Sequence, residues 1–232
     1  MQLKSIIFGL SLLASAASLP SQACTGITLR DPSGCPILAR TIEWGGSDLN
    51  SCYVVVPRGY TQRSYVPGGV KGGLEFKARY GYVGFSVEQE DFVAEGLNEV
   101  GLSAGLFYFP RYGNYAPYDS LQASKSLADL QLVPWLLSQF RTVGEALDGL
   151  KQVRVTAIDP RASTVHWRIA DASGRQVVVE IVEGRVQVFE NKIGVLTNSP
   201  GFEWQLTNLN NYVNLFSGSA PVQQLDSRTL QP

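Results

Sequence analysis

Cys24 is followed by Thr25 and Gly26 and preceded by 23 residues with the make-up of a removable export signal. Lys4 supplies the charged start, an apolar stretch interspersed with small residues runs from Ile6 to Leu19, and Pro20 precedes a Ser21-Gln22-Ala23 end that suits a signal peptidase. Removal of residues 1–23 leaves Cys24 as a new N-terminus, with thiol and amine on one residue. An α-amino group has a reference pKa of about 7.7–8.0, so near neutral pH part of it is unprotonated and can accept the thiol proton. Nucleophile and base then come from a single residue. Two plainer readings use the same residues. A lipoprotein signal also ends just before a cysteine, but with a Leu-like residue three positions upstream, where this chain has Ser21. An exported thiol can also simply pair or pack.

The remaining chemistry-bearing residues are few. Cys35 and Cys52 flank a strand-like segment in a chain read as bound for an oxidising compartment; a disulfide between them and two free thiols both fit. Three cysteines, the single His166 and no Cys-x-x-Cys spacing are too few donors for a closed zinc cage, and no metal or cofactor is expected. The formal net charge of −1 gives no basic surplus for nucleic acid. The leader's apolar run is short for a bilayer, and no later segment is continuously apolar for the ~20 residues a span needs, so no stable membrane span is expected. At 232 residues the chain suffices for one sizeable domain, taken as residues 24–232.

The elements that must position Cys24 begin with strands. Residues 24–111 are rich in β-branched and aromatic side chains punctuated by Gly, Pro, Asn and Asp. Cys24 to Arg30 reads as a strand, Asp31-Pro-Ser-Gly34 has turn chemistry, and Pro36 to Trp44 returns, so Cys24 and Arg40 are expected to face each other across a hairpin. Strand signals recur at Tyr53 to Pro57, Tyr82 to Val87 and Gly101 to Phe109, and Asn98 with Glu99 reads as a turn. From Ser120 to Val153 the period changes: Leu127, Leu130, Val133, Leu136, Leu137 and Phe140 fit one helical face, with Pro134 expected to kink or end the helix. Thr142 and Glu145 form a capping box for a second helix. Strands resume at Val165 to Ala170, Val177 to Val182 and Val186 to Phe189, and a last helix is expected from Phe202 to Phe216. This order suits packed antiparallel sheets covered by helices.

Several separate motifs share one resemblance. Cys24-Thr-Gly, Ala39-Arg-Thr-Ile-Glu-Trp44, Gly96-Leu-Asn-Glu-Val-Gly-Leu102, His166-Trp167 with Asp171 and Gly174, and Gly194-Val-Leu-Thr-Asn-Ser-Pro200 running into Trp204 and Asn208-Leu-Asn-Asn-Tyr212 together resemble the choloylglycine hydrolase and penicillin V acylase family of N-terminal-nucleophile hydrolases. The resemblance implies an α+β fold, a four-layer αββα sandwich, and hydrolysis of a linear amide by Cys24 through a thioester. It makes Arg40 the arginine beside the nucleophile, where a guanidinium favours thiolate over thiol. Glu43 falls where the family has an aspartate that holds the cysteine amine, and is one methylene longer. Asn198 matches the oxyanion asparagine, and Tyr108 aligns with a second oxyanion donor that a phenol can replace. His166 is placed in a structural strand. Trp44, Phe107 and Phe109 are candidates for an apolar acyl pocket, and aromatic strand residues are also ordinary core.

One departure is expected to matter. The family continues beyond the segment equivalent to Leu225 to Pro232 through a Gly-rich stretch and a Ser-Arg-Phe-like motif whose arginine serves the active site; Arg228, in Asp-Ser-Arg-Thr, is not that residue, and the chain reads as a fragment. The expected protein is a periplasmic or secreted amidase that acts on a small-molecule amide such as a conjugated bile acid, penicillin V or an acyl-homoserine lactone. A homo-oligomer is compatible with these residues. The alternative from another class is an exported binding protein that keeps the fold without catalysis.

Overall fold

The computed structural model describes residues 24–43, 48–159, 164–213, 223–225 and 228–230; the expected leader, Trp44 and the far end of the helix expected to reach Phe216 lie outside them. The turn at Asp31–Gly34 folds the chain back at once, with Gly34 N–H donating to Asp31 O at 2.9 Å and Gly34 in the left-handed region at φ 88°. Strands β1 (Thr25–Arg30) and β2 (Pro36–Thr41) thereby pair antiparallel. There follow β3 (Cys52–Val56), the small hairpin β4 (Thr61–Arg63) and β5 (Glu75–Lys77), then β6 (Tyr82–Val87), β7 (Gln89–Asn98) and β8 (Ser103–Tyr108). The middle holds β9 (Ser126–Ala128), α1 (Leu132–Gln139), α2 (Val143–Leu150) and β10 (Arg154–Thr156). The remainder is β11 (Val165–Ala170), β12 (Gln176–Val182), β13 (Arg185–Glu190), β14 (Val195–Thr197), α3 (Phe202–Leu209), β15 (Gln223–Leu225) and β16 (Arg228–Leu230).

Two sheets carry the architecture. A seven-stranded antiparallel sheet runs β13-β12-β11-β8-β7-β6-β3, and a three-stranded one runs β14-β1-β2. The period of two along each strand divides the large sheet into unlike faces. Ala104, Leu106, Trp167, Ile169, Val177, Val179 and Ile181 pack with Leu132, Leu136 and Leu137 of α1 and Val143 and Ala146 of α2 in the main apolar core. The other face meets the small sheet with Phe107 and Val178, which cluster with Cys24, Leu196 and Phe202, and with buried His166, Arg168 and Glu180. Helices, large sheet and small sheet are three successive layers of the αββα sandwich.

Several elements differ from expectation. The residues from Leu127 to Phe140 do not form one helix: β9 pairs parallel with β10, Leu127 opposite Val155, then Asp129–Gln131 make a 3-10 turn and α1 starts at Leu132. Leu127 on β9 and Leu136 and Leu137 on α1 are all fully buried, so the helical spacing arises from burial on two different backbones. Pro134 lies in the first turn of α1, where its missing N–H leaves no helical bond unmade, so it neither ends the helix nor costs it a partner. The ten-residue β7 was not read as a strand, because Glu90, Asp91 and Glu95 break its alternation; Asp91 pairs with Lys71 at 2.7 Å and Glu95 with arginines described below. α3 ends at Leu209 and a 3-10 turn, Asn210–Tyr212, follows. Asn98 serves its turn through Oδ1, which accepts from Leu102 N–H at 2.8 Å, and also caps the end of α1 by donating to Leu137 O at 2.9 Å and Phe140 O at 2.7 Å. Thr142 caps α2, accepting from Glu145 N–H at 3.1 Å. Cys35 and Cys52 are free thiols.

Candidate active site

Cys24 stands immediately before β1, 6% exposed, against Phe107, Val178, Leu196 and Phe202. The flanking ladders pair Thr25 with Thr41 on one side and with Thr197 on the other. Continuing those registers sets Ile42 and Asn198 level with Cys24. Arg40 is opposite Gly26, not Cys24, so the expected face-to-face pair is a diagonal one, at about 7–8 Å in ordinary sheet geometry. Gly26 opens that diagonal: a Cβ there would come within 2.7 Å of Phe107 Cζ and of Arg168 Nη1.

Arg40 is far from an exposed strand charge. Its side chain is 7% exposed and its guanidinium lies 4.2 Å from the centre of the Phe107 ring. Arg40 Nη1 faces three oxygens, donating to Leu106 O at 2.7 Å, Ala94 O at 3.2 Å and Glu95 Oε2 at 3.3 Å. Glu95 was missed by the sequence reading. The signal that could have found it is a lone carboxylate in the apolar run Phe92-Val-Ala-Glu-Gly-Leu97.

Asn198 is held by the end of β8. Tyr108 N–H donates to Asn198 Oδ1 at 3.0 Å, and Ser199 N–H donates back to Tyr108 O at 3.2 Å. Asn198 Oδ1 is thus the accepting end of the amide and its NH2 the donating end. Gln205 of α3 closes the segment from the other side, its Nε2 donating to Asn198 O at 2.9 Å and Pro200 O at 2.8 Å. Beneath, His166 uses both ring nitrogens: Nε2 lies 2.9 Å from Thr197 O and Nδ1 3.1 Å from Glu180 Oε1, which also accepts from Phe202 N–H at 2.8 Å. The ring stacks on Phe109 at 4.3 Å and 8°. His166 is thus a buried structural clamp across residues 197–202.

The other expected residues fall as follows. Tyr108 is half-buried at the end of β8, and Glu43 is exposed two residues past β2. Phe107 and Phe109 are both fully buried, so they support Arg40 and His166 from below and do not form an open pocket wall. Trp44 lies outside the described residues. A cleft of 490 Å³ opens on Arg40, Ile42, Asp48, Leu49, Ser51, Phe85 and Glu95. A larger apolar cavity of 690 Å³ lies between β2 and the β3, β6 and β7 face; it touches Glu95 but not Arg40, whereas the smaller cleft touches both, and Cys24 lines neither. Among the described residues no cluster of three or more His, Cys, Asp or Glu is placed to hold a metal ion, and no helix is long and apolar enough to cross a membrane.

Residues 24–232 match the linear amide C–N hydrolases of the choloylglycine hydrolase type. The chain belongs to the choloylglycine hydrolase family. It is 30% identical to the bile salt hydrolase/transferase of Clostridium perfringens, over 89% of this chain and 63% of that protein. It is 28% identical to the penicillin V acylase of Pectobacterium atrosepticum, over 94% of this chain and 60% of the relative. A crystal structure of a mutant conjugated bile acid hydrolase from Clostridium perfringens superimposes with a TM-score of 0.72 at 29% identity, covering 90% of this chain and 63% of that one. The penicillin V acylase of Agrobacterium tumefaciens gives 0.71 at 25% identity, covering 83% and 58%. The chain therefore spans about three-fifths of the length of these family members.

Proposed function

We propose that the complete protein is an exported N-terminal-nucleophile amidase that cleaves a linear amide joining an apolar acyl group to a polar amine. The observation that supports this reading is the strand register, which sets Asn198 level with Cys24 and Arg40 diagonally across from it, at the first residue of the family match. Removal of residues 1–23 frees the Cys24 amine, which accepts the thiol proton. The sulfur adds to the amide carbonyl carbon, and the oxyanion is met by the Asn198 amide and the Tyr108 hydroxyl. Collapse breaks the C–N bond, the amine leaves with the proton, and water then hydrolyses the thioester to acid and free Cys24. Arg40 sustains the thiolate, and Glu43 holds the amine. The acyl group enters the cleft over Ile42 and Phe85. Conjugated bile acids, penicillin V and acyl-homoserine lactones share this bipartite character, and Tyr108 in the second donor position favours penicillin V.

The test uses the full-length protein after export. Intact mass beginning at Cys24, amine released from penicillin V, and loss of that product in Cys24→Ser are the expected results. The exposed position of Glu43 favours a second reading, a binding protein that has lost catalysis. Correct processing without hydrolysis of any of the three amide classes, and ligand affinity unchanged in Cys24→Ser, would establish that alternative. A retained leader or a lipid adduct on Cys24 would remove the free amine and with it the mechanism.

A further inference from the structure

The face of the large sheet that meets the nucleophile's sheet is where this chain buries charge. On β11 the side chains alternate: Val165, Trp167 and Ile169 join the apolar core under the helices, while His166 and Arg168 point the other way, into the interlayer that holds Cys24 and Phe107. His166 has a partner for each ring nitrogen. Arg168 is 1% exposed and less completely satisfied: Nη2 donates to Glu95 Oε1 at 3.2 Å, Nη1 reaches Ile27 O at 3.4 Å, and Nε has no hydrogen-bond partner.

A fully buried guanidinium with an orphaned donor is a poor device for stability. An apolar side chain of similar volume would avoid the desolvation of the charge and the unmet hydrogen bond. What Arg168 does instead follows from the geometry of Glu95. Each carboxylate oxygen serves a different cation, Oε2 facing Arg40 Nη1 at 3.3 Å and Oε1 facing Arg168 Nη2 at 3.2 Å. The Phe107 ring carries both guanidiniums, 4.2 Å from Arg40 and 5.7 Å from Arg168. Two glycines make room for the trio. A side chain at Gly105 would collide with Glu95 Oε2, and one at Gly26 would come within 2.7 Å of Arg168 Nη1. Ser103 Oγ, 3.5 Å from Oε1, is the other side-chain group on the carboxylate.

The charges then decide the sign of the effect at the nucleophile. Arg40 with Glu95 alone is a neutral pair, which does little for a nearby thiolate. Adding Arg168 leaves the trio with one net positive charge, two residues along β1 from Cys24, its two guanidiniums nearly buried and its carboxylate partly exposed at the cleft, while Glu180, the buried acid on the same face, is taken up by His166. We propose that Arg168 is a positioning residue for amide hydrolysis: it fixes the free oxygen of Glu95 so that the carboxylate orients Arg40 beside the nucleophile without cancelling its charge. The proposal rests on Cys24 being the nucleophile.

The test uses the full-length mature protein and three variants. Arg168→Met removes the charge at similar volume, Arg168→Lys restores it, and Glu95→Gln removes the shared negative charge with little change of shape. Turnover of whichever amide the wild type cleaves, the pH profile of Cys24 alkylation by iodoacetamide read on the Cys24 peptide, and the thermal midpoint are measured for each. Arg168→Met is expected to lower kcat by about tenfold to a hundredfold with KM little changed, and to move the alkylation profile to higher pH. Arg168→Lys should recover most of both. Glu95→Gln should lower kcat while moving the alkylation profile to lower pH, a pairing that simple loss of packing does not produce. If Arg168→Met does not fold, the opposed signs in Glu95→Gln and the behaviour of Arg168→Lys still decide the matter. A folded Arg168→Met with wild-type kcat and alkylation profile, or a Glu95→Gln that moves neither, overturns the proposal alone. A wild type that turns over no amide and whose Cys24 resists alkylation refutes the catalytic reading itself, and the proposal falls with it.

Discussion

Replacing Asp129 by Asn should stabilise this protein at neutral pH and leave it unchanged in acid. Asp129 opens the 3-10 turn before α1, is 5% exposed, and its Oδ1 accepts from Leu130 N–H at 2.9 Å. Burial pushes its carboxyl from 3.8 up to about 6, outweighing the hydrogen bonds from Leu130, Ile158 and Tyr115 that favour the anion. The folded state therefore holds this proton more tightly than the unfolded chain. Its contribution to stability is fully present below about pH 4 and is lost as pH rises through about 6. A difference of about two units, at 1.36 kcal/mol each, makes the cost of the buried carboxylate about 3 kcal/mol above pH 7. Asn keeps an oxygen for Leu130 N–H and never ionises. For a chain of this size that is roughly 6–12 °C in Tm. Thermal unfolding followed by circular dichroism from pH 4 to pH 8 reads it directly: the two proteins should coincide at the acid end and separate above pH 6. An Asp129→Asn variant that is less stable at every pH would show that the carboxylate makes a net favourable contact, and the reasoning from desolvation would be wrong.

Two further outcomes test the site. Asn198→Ala should lower kcat by about a hundredfold to a thousandfold with little change in KM, because the proposed oxyanion donor would act in the transition state; wild-type turnover would remove Asn198 from that role. Gly105→Ala should displace the Glu95 carboxylate, cutting both activity and thermal stability, by about 1–3 kcal/mol in the latter; a variant with an unchanged melting curve would mean that Glu95 has somewhere else to go.

The first hairpin was legible because its information is local. A Gly at φ 88° after Asp-Pro-Ser closes the turn, and β-branched neighbours set the strands, so the register that places Arg40 near Cys24 follows to within two residues. The Thr142 cap of α2 and the strand at Val165–Ala170 were legible for the same reason. The segment from Leu127 to Phe140 was not, because burial imposes apolar residues without saying which backbone carries them. Phe107 and Phe109 show the same limit: an aromatic on a strand reads equally as pocket wall or interior, and only the opposing layer decides.

What the sequence determined by itself is the chemistry available: one cysteine at the end of an export-like leader, an arginine one hairpin away and an asparagine in a Thr-Asn-Ser-Pro turn. What only the tertiary structure decided is how charge is distributed around that cysteine. Arg40, Glu95 and Arg168 are 55 and 73 positions apart when measured from Glu95 to its two partners, and nothing local links them. They meet because two sheets pack face to face with glycines at the crossing points, and between the sheets each largely buried charge must find its counterpart from another strand.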